Sequence, residues 1–162
     1  PDPELVESIR EKILSYPGVL GTHDLMVHDY GPGRQFASVH VEMAAEQNVL
    51  ECHDIIDTIE RDFKKNFNLH MIIHYDPVVT NDPAARDLRR WISDEVKKID
   101  PGLSIHDLRV VPGSTHTNVI FDCVVPHNLS ISASEITKTV ADKYPGYVCV
   151  ITIDASFAAI PK

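Results

Sequence analysis

The order helix–strand–strand–helix–strand is written twice in these 162 residues, and that repeat limits the fold more than any other feature. In the first copy, Leu5, Ile9 and Ile13 recur at helical spacing until Pro17-Gly18 stops the run. Two strand-like runs follow, Gly21 to Tyr30 and Gln35 to Met43, and the Gly31-Pro32-Gly33 break between them predicts a hairpin. A second helix is expected over about Asn48 to Phe67, with Val49, Cys52, Ile56, Ile59 and Phe63 on one face. The copy ends in a strand, Leu69 to Asp76, closed by Pro77.

The second copy keeps this order. A helix from Asp82 to Ile99 stops at Pro101-Gly102. A hairpin of Ser104 to Val111 and Thr117 to Val125 turns at Pro112-Gly113. A helix from about Ser132 to Tyr144 and a strand from Tyr147 to Asp154 complete it. His23-Asp24-Leu25 answers His106-Asp107-Leu108, and the last strands of the two copies align without a gap. The fold class is therefore α+β, two tandem ferredoxin-like α-β-β-α-β modules, residues 1–78 and 79–162. The linker falls near Val79 to Asp82.

Composition removes several functions. The formal charge is -9, from 24 acidic and 15 basic residues, which repels phosphate backbones and speaks against nucleic acid. No apolar run approaches the ~18 residues that cross a bilayer, and no signal peptide is evident. The chain opens on Pro-Asp-Pro, as a fragment of a longer protein would. Cys52, Cys123 and Cys149 are odd in number and form no C-x-x-C pair, which argues against a thiolate zinc knuckle or a disulfide framework and for a reducing cytosol. No Walker, dinucleotide-glycine or G-x-S-x-G pattern is present.

Nine histidines are many for such a chain. Residues two apart share a face of a strand, so if Leu69, Met71, Ile73 and Tyr75 face the helices, His70, Ile72, His74 and Asp76 point away. Likewise Ala37, Val39, Val41 and Met43 form the inner set of their strand and leave Ser38, His40 and Glu42 outside. His23 lies early in the first strand, and His53 one step off the apolar stripe of the second helix. Imidazole and carboxylate suit zinc and similar divalent ions, and His74 with Asp76 is the best local pair. His23, His40 and His53 join that pair only through tertiary contact or across a dimer. The plain alternative, half-buried polar residues and a core thiol at Cys52, accounts for each residue singly.

A resemblance adds weight to the metal reading. Tyr16-Pro17-Gly18-Val19-Leu20-Gly21-Thr22-His23-Asp24-Leu25, Gly31-Pro32-Gly33-Arg34 and Ser38-Val39-His40-Val41-Glu42-Met43 closely resemble the carboxy-terminal domain of cation diffusion facilitators. So do Cys52-His53-Asp54-Ile55-Ile56 and Ile72-Ile73-His74-Tyr75-Asp76-Pro77, in family order across residues 1–78. The resemblance implies a metallochaperone-like, non-enzymatic homodimerisation domain on the cytoplasmic side of the membrane. It would follow the transmembrane domain of the same polypeptide, a proton-coupled exporter of divalent cations. It implies the ligand set His23, His40, His53, His74 and Asp76 for a divalent metal, with zinc the default and manganese, iron, cobalt, nickel or cadmium open. No nucleic acid and no small-molecule substrate are implied.

The second copy departs from the pattern. Thr152 stands where His74 would, only His106 and Asp154 persist, and the copy reads as a degenerate duplicate with a structural or dimer-contact role. Two rival readings exist. One is a tandem ACT-like module for a small organic ligand. The other is a His-Asp phosphohydrolase, for which His23-Asp24, His28-Asp29, His53-Asp54 and His106-Asp107 supply the dipeptide; that class needs an all-helical bundle.

Overall fold

The computed structural model describes residues 2–126 and 129–156, and the chain separates into two units, Pro1–Val78 and Val79–Lys162. In the first unit the order is α1 (Pro3–Leu14), β1 (Val19–Asp29), β2 (Gln35–Ala44), α2 (Val49–Phe67) and β3 (Leu69–Val78). The Asp2 side chain caps α1 by accepting from the Glu4 amide, with Pro3 at the start of the helix, where its missing N–H costs nothing. Asn48 caps α2 in the same way through the Leu50 amide, and Asn68 closes it in the left-handed region at φ 51°. Gly31 and Gly33, at φ 104° and 74°, supply the left-handed residues that the turn between β1 and β2 requires.

The sheet runs β1-β2-β3, with β1 antiparallel and β3 parallel to the central β2. A parallel neighbour needs a crossover, which α2 provides. Alternation divides the sheet. Ala37, Val39, Val41, Met43, Leu69 and Met71 meet Ile9 and Ile13 of α1 and Cys52, Ile59 and Phe63 of α2 in one core. Both helices thus cover one face and leave the other uncovered by either. Cys52 is wholly buried there, a core thiol.

Two local departures from simple alternation matter. β3 does not close at Pro77, as the sequence suggests, but continues through it to Val78. Proline is tolerated because β3 is an edge strand, where one missing donor interrupts no ladder on its outer side. In β1 the pairing slips between His23 and Met26, with Asp24 left-handed at φ 52°. Two residues of β1, Asp24 and Leu25, there oppose one of β2, Val39, which is a β-bulge, and Asp is among the few residues that enter the left-handed region at low cost. The extra residue re-phases the strand, so His23 and Met26 both stand on the outer face although their spacing is odd. Leu25 and Val27 turn to the core.

The second unit contains α3 (Pro83–Ile99), β4 (Ser104–Pro112), β5 (Thr117–Pro126), α4 (Ala133–Lys143) and β6 (Tyr147–Ser156). Its sheet is ordered β4-β5-β6, again antiparallel then parallel. It carries the same bulge, with Asp107 at φ 52° and a slip between His106 and Arg109. Leu88, Ile92 and Val96 of α3 and Ile136 and Val140 of α4 form its core with Val119, Phe121 and Cys123. Among the described residues no helix is long and apolar enough to cross a membrane.

Candidate metal centre

Register brings the site together. His23 pairs with His40, and His40 with His74, so one row across three strands is His23–His40–His74. The next row on the same face is Gly21–Glu42–Asp76. Two residues along a strand separate the rows, so all these positions share the outer face. The imidazoles lie ring against ring, with centroids 4.7 Å apart for His23 and His40 and 4.5 Å for His40 and His74.

Asp76 is the hub. Its Oδ2 lies 3.2 Å from His23 Nε2 and 3.0 Å from His40 Nδ1, and its Oδ1 lies 3.4 Å from His74 Nε2. His23, at 9% exposure, and Asp76, at 5%, are buried. His40 is half-buried and His74 is exposed, so the site is closed at its floor and open toward solvent. The floor also holds Glu42, fully buried, whose Oε1 accepts from His23 Nδ1 at 2.9 Å.

Burial pulls the His23 pKa down, but hydrogen bonds to Asp76 and Glu42 and their negative charges more than offset this, raising it from 6.5 to about 9. For Asp76, burial pushes the carboxyl up, while the hydrogen bonds from His23 and His40 bring it below the ordinary value. At neutral pH a proton on His23 therefore sits between two carboxylates.

The residues fit a divalent cation. One ligand atom each from His23, His40 and Asp76 lies within 4.8 Å of the others, a spacing that an ion bound between them would close with small side-chain movements. Two nitrogens and a carboxylate oxygen are a donor set for zinc and its first-row neighbours. The two buried carboxylates carry the charge that such an ion would neutralise.

The other candidates fall elsewhere. His74 adjoins the cluster through Asp76. His53 lies exposed on α2, in the layer on the opposite side of the sheet, and is not brought to the other ligands within the protomer. His28 and His70 are exposed in a row with Phe36, two rows from the histidine row. Sequence reasoning put Glu42 on the His40 face without assigning it a role; the available signal was a carboxylate two positions from a candidate ligand.

In the second unit the matching rows are His106–Asp122–Thr152 and Ser104–Val124–Asp154. Among the described residues they form no cluster of the first unit's kind. The four His-Asp dipeptides are scattered, with three in strands and one on α2, in a mixed α/β chain rather than a helical bundle.

Residues 1–78 match the family model of the cation efflux protein, cytoplasmic domain. The chain is 39% identical over 72 residues to the cation-efflux pump FieF of Pectobacterium atrosepticum, covering 44% of this chain and 24% of that protein. It is 38% identical over 78 residues to FieF of Yersinia enterocolitica, covering 48% and 25%. The chain thus spans about a quarter of the length of these curated relatives.

Among solved structures, the zinc form of CzrB, described as a zinc transporter, is 31% identical with a TM-score of 0.42, covering 48% of this chain and 89% of that one. The metal-bound carboxy-terminal domain of the CzcD transporter from Cuprividus metallidurans is 22% identical with a TM-score of 0.38, covering 44% and 96%. The likeness to the cytoplasmic domain of cation efflux proteins thus falls on residues 1–78, the first unit of this chain.

Proposed function

We propose that this chain is the regulatory and dimerisation part of a divalent-cation exporter, and that its first unit binds the metal through His23, His40, His74 and Asp76. The observation that carries this reading is the row of three histidines laid over a buried carboxylate. A hydrophobic isostere would be cheaper to bury than Asp76 and Glu42, so their retention on the floor of an open site points to a cation. Donor chemistry makes zinc the first metal to test.

The bound ion would act as an effector. It favours whichever arrangement of two protomers binds it better, by the differential affinity and no more. Exposed Met26 and Ile72 flank Ser38 in the row next to the histidines, an apolar strip suited to a partner protomer. His53, on the far side of its own sheet, would contribute only to a site shared with a second copy. Proton-coupled export would belong to a membrane domain of the same polypeptide. The second unit, with Thr152 and Val124 at ligand-row and floor positions, is read as a degenerate copy with a structural role.

A calorimetric zinc titration at neutral pH, run beside the double variant His40→Ala/His74→Ala, tests the reading. Binding in the parent and its collapse in the variant are expected, with zinc-dependent dimerisation in sedimentation. Equal binding by both proteins places the ligands elsewhere. No binding of zinc or another divalent ion removes the sensing role.

A further inference from the structure

We propose that Glu42 and Gly21 are positioning residues for the metal centre: Glu42 holds the His23 ring with Nε2 facing the ligand cluster, and Gly21 leaves the space that Glu42 needs to do so. This rests on the metal reading above and assigns roles to two residues outside its ligand set.

His23 can present only one nitrogen to an ion, and the hydrogen bond at its other nitrogen decides which. Glu42 Oε1 accepts from Nδ1 at 2.9 Å, which leaves Nε2 directed at Asp76, 3.2 Å away. The Glu42 side chain is fully buried, where an ionised carboxylate is costly unless it has a function or strong partners. Its position depends on the neighbour in its row. A Cβ built on Gly21 would stand 2.7 Å from Glu42 Oε2 and 3.2 Å from its Cδ. Gly21 has no positive φ, so backbone conformation does not demand glycine there; the close approach of the carboxylate does.

The second unit supplies an internal contrast. Its matching row holds Asp122 and Thr152 where the first unit has His40 and His74, while His106 and the bulge beside it correspond to His23 and its bulge. There the Gly21 position is Ser104 and the Glu42 position is Val124. The sheet therefore forms without the glycine–carboxylate pair, which is absent from the unit that lacks the full histidine row. A purely architectural role for Glu42 would give no reason for the pair to accompany the full histidine row.

The test uses the 162-residue chain and five variants: Glu42→Leu, Glu42→Gln, Gly21→Ala, the double variant Gly21→Ala/Glu42→Ala and its reference Glu42→Ala. Zinc affinity is measured by calorimetry and folding by circular dichroism. The ring nitrogen of His23 that binds zinc is identified by long-range 15N–1H correlation. The expected losses in zinc affinity are about 10- to 100-fold for Glu42→Leu, less for Glu42→Gln, which keeps an acceptor, and about 10-fold for Gly21→Ala. Gly21→Ala should cost nothing further in the Glu42→Ala background, where no carboxylate is left to displace. His23 should bind zinc through Nε2 in the parent and lose that selectivity in Glu42→Leu.

If Glu42→Leu does not fold, Glu42→Gln and Gly21→Ala still decide the matter. Parent-like affinity and unchanged Nε2 ligation in folded variants overturn the positioning role. Additive losses for Gly21 and Glu42 overturn the link between them. A parent that binds no zinc removes the metal reading itself, and the positioning role with it.

Discussion

Zinc binding by this chain should depend on pH well above the range in which an ordinary histidine titrates. Sequence alone sets the transition at the histidine value of about 6.5. The structure moves it, because protonated His23 is held between Asp76 and Glu42 and its pKa rises to about 9. Metal must displace that proton from Nε2. At pH 7 the competition lowers apparent affinity roughly 100-fold, since about 99% of His23 carries the proton. Between pH 7 and 8 affinity should therefore tighten about 10-fold. A ligand of pKa 6.5 would give only about 1.3-fold between pH 7 and 8, having nearly finished titrating.

The assay is calorimetry at pH 7.5 in weakly coordinating buffers of different ionisation enthalpy, which counts protons released with each zinc ion. About one proton from His23 is expected. Asp76, with its pKa held below the ordinary value, contributes none. His23→Asn should lower the affinity and remove this proton and its slope. Release near zero at pH 7.5, with affinity flat from pH 7 to 8, would refute the claim that the two carboxylates hold a proton on His23.

Three further outcomes follow from the same geometry. Without metal, the raised His23 pKa contributes stability that is fully present below pH 6.5 and is lost as pH rises through about 9. Urea unfolding of the first unit's signals should lose of order 2–3 kcal/mol across that window, and His23→Asn should abolish the dependence. Phe63→Ala, at a wholly buried α2 position, should cost about 3–5 kcal/mol in the same assay, with its main effect on the first unit. Asn68→Gly should be neutral or stabilising by up to about 1 kcal/mol, whereas Asn68→Val should destabilise, because position 68 sits at φ 51°.

What the sequence determined is what short-range periodicity can carry. Helical spacing at Leu5, Ile9 and Ile13 and in Cys52, Ile59 and Phe63 marks the buried faces of α1 and α2. The period of two placed Met71 inside and His74 outside, and Val39 inside and His40 outside. Turn glycines marked the hairpin, and the ordered motifs of residues 1–78 carried the resemblance to cation efflux proteins. These features are legible because each depends on neighbours within a turn or two of chain.

Only the tertiary structure decided which outward residues meet. The antiparallel register of β1 on β2 and the parallel register of β3 set His23, His40 and His74 in one row, and a slip of one residue would have sent each side chain to the other face. The bulge at Asp24 keeps His23 and Met26 on one face despite their odd spacing, a phase shift that alternation cannot anticipate. Strand order made β3 an edge and so let it continue through Pro77. Sheet and helix layers separated His53 from the other candidates. Burial, which depends on everything packed around a position, turned Glu42 from one more outward carboxylate into the partner of His23 and raised that histidine's affinity for a proton.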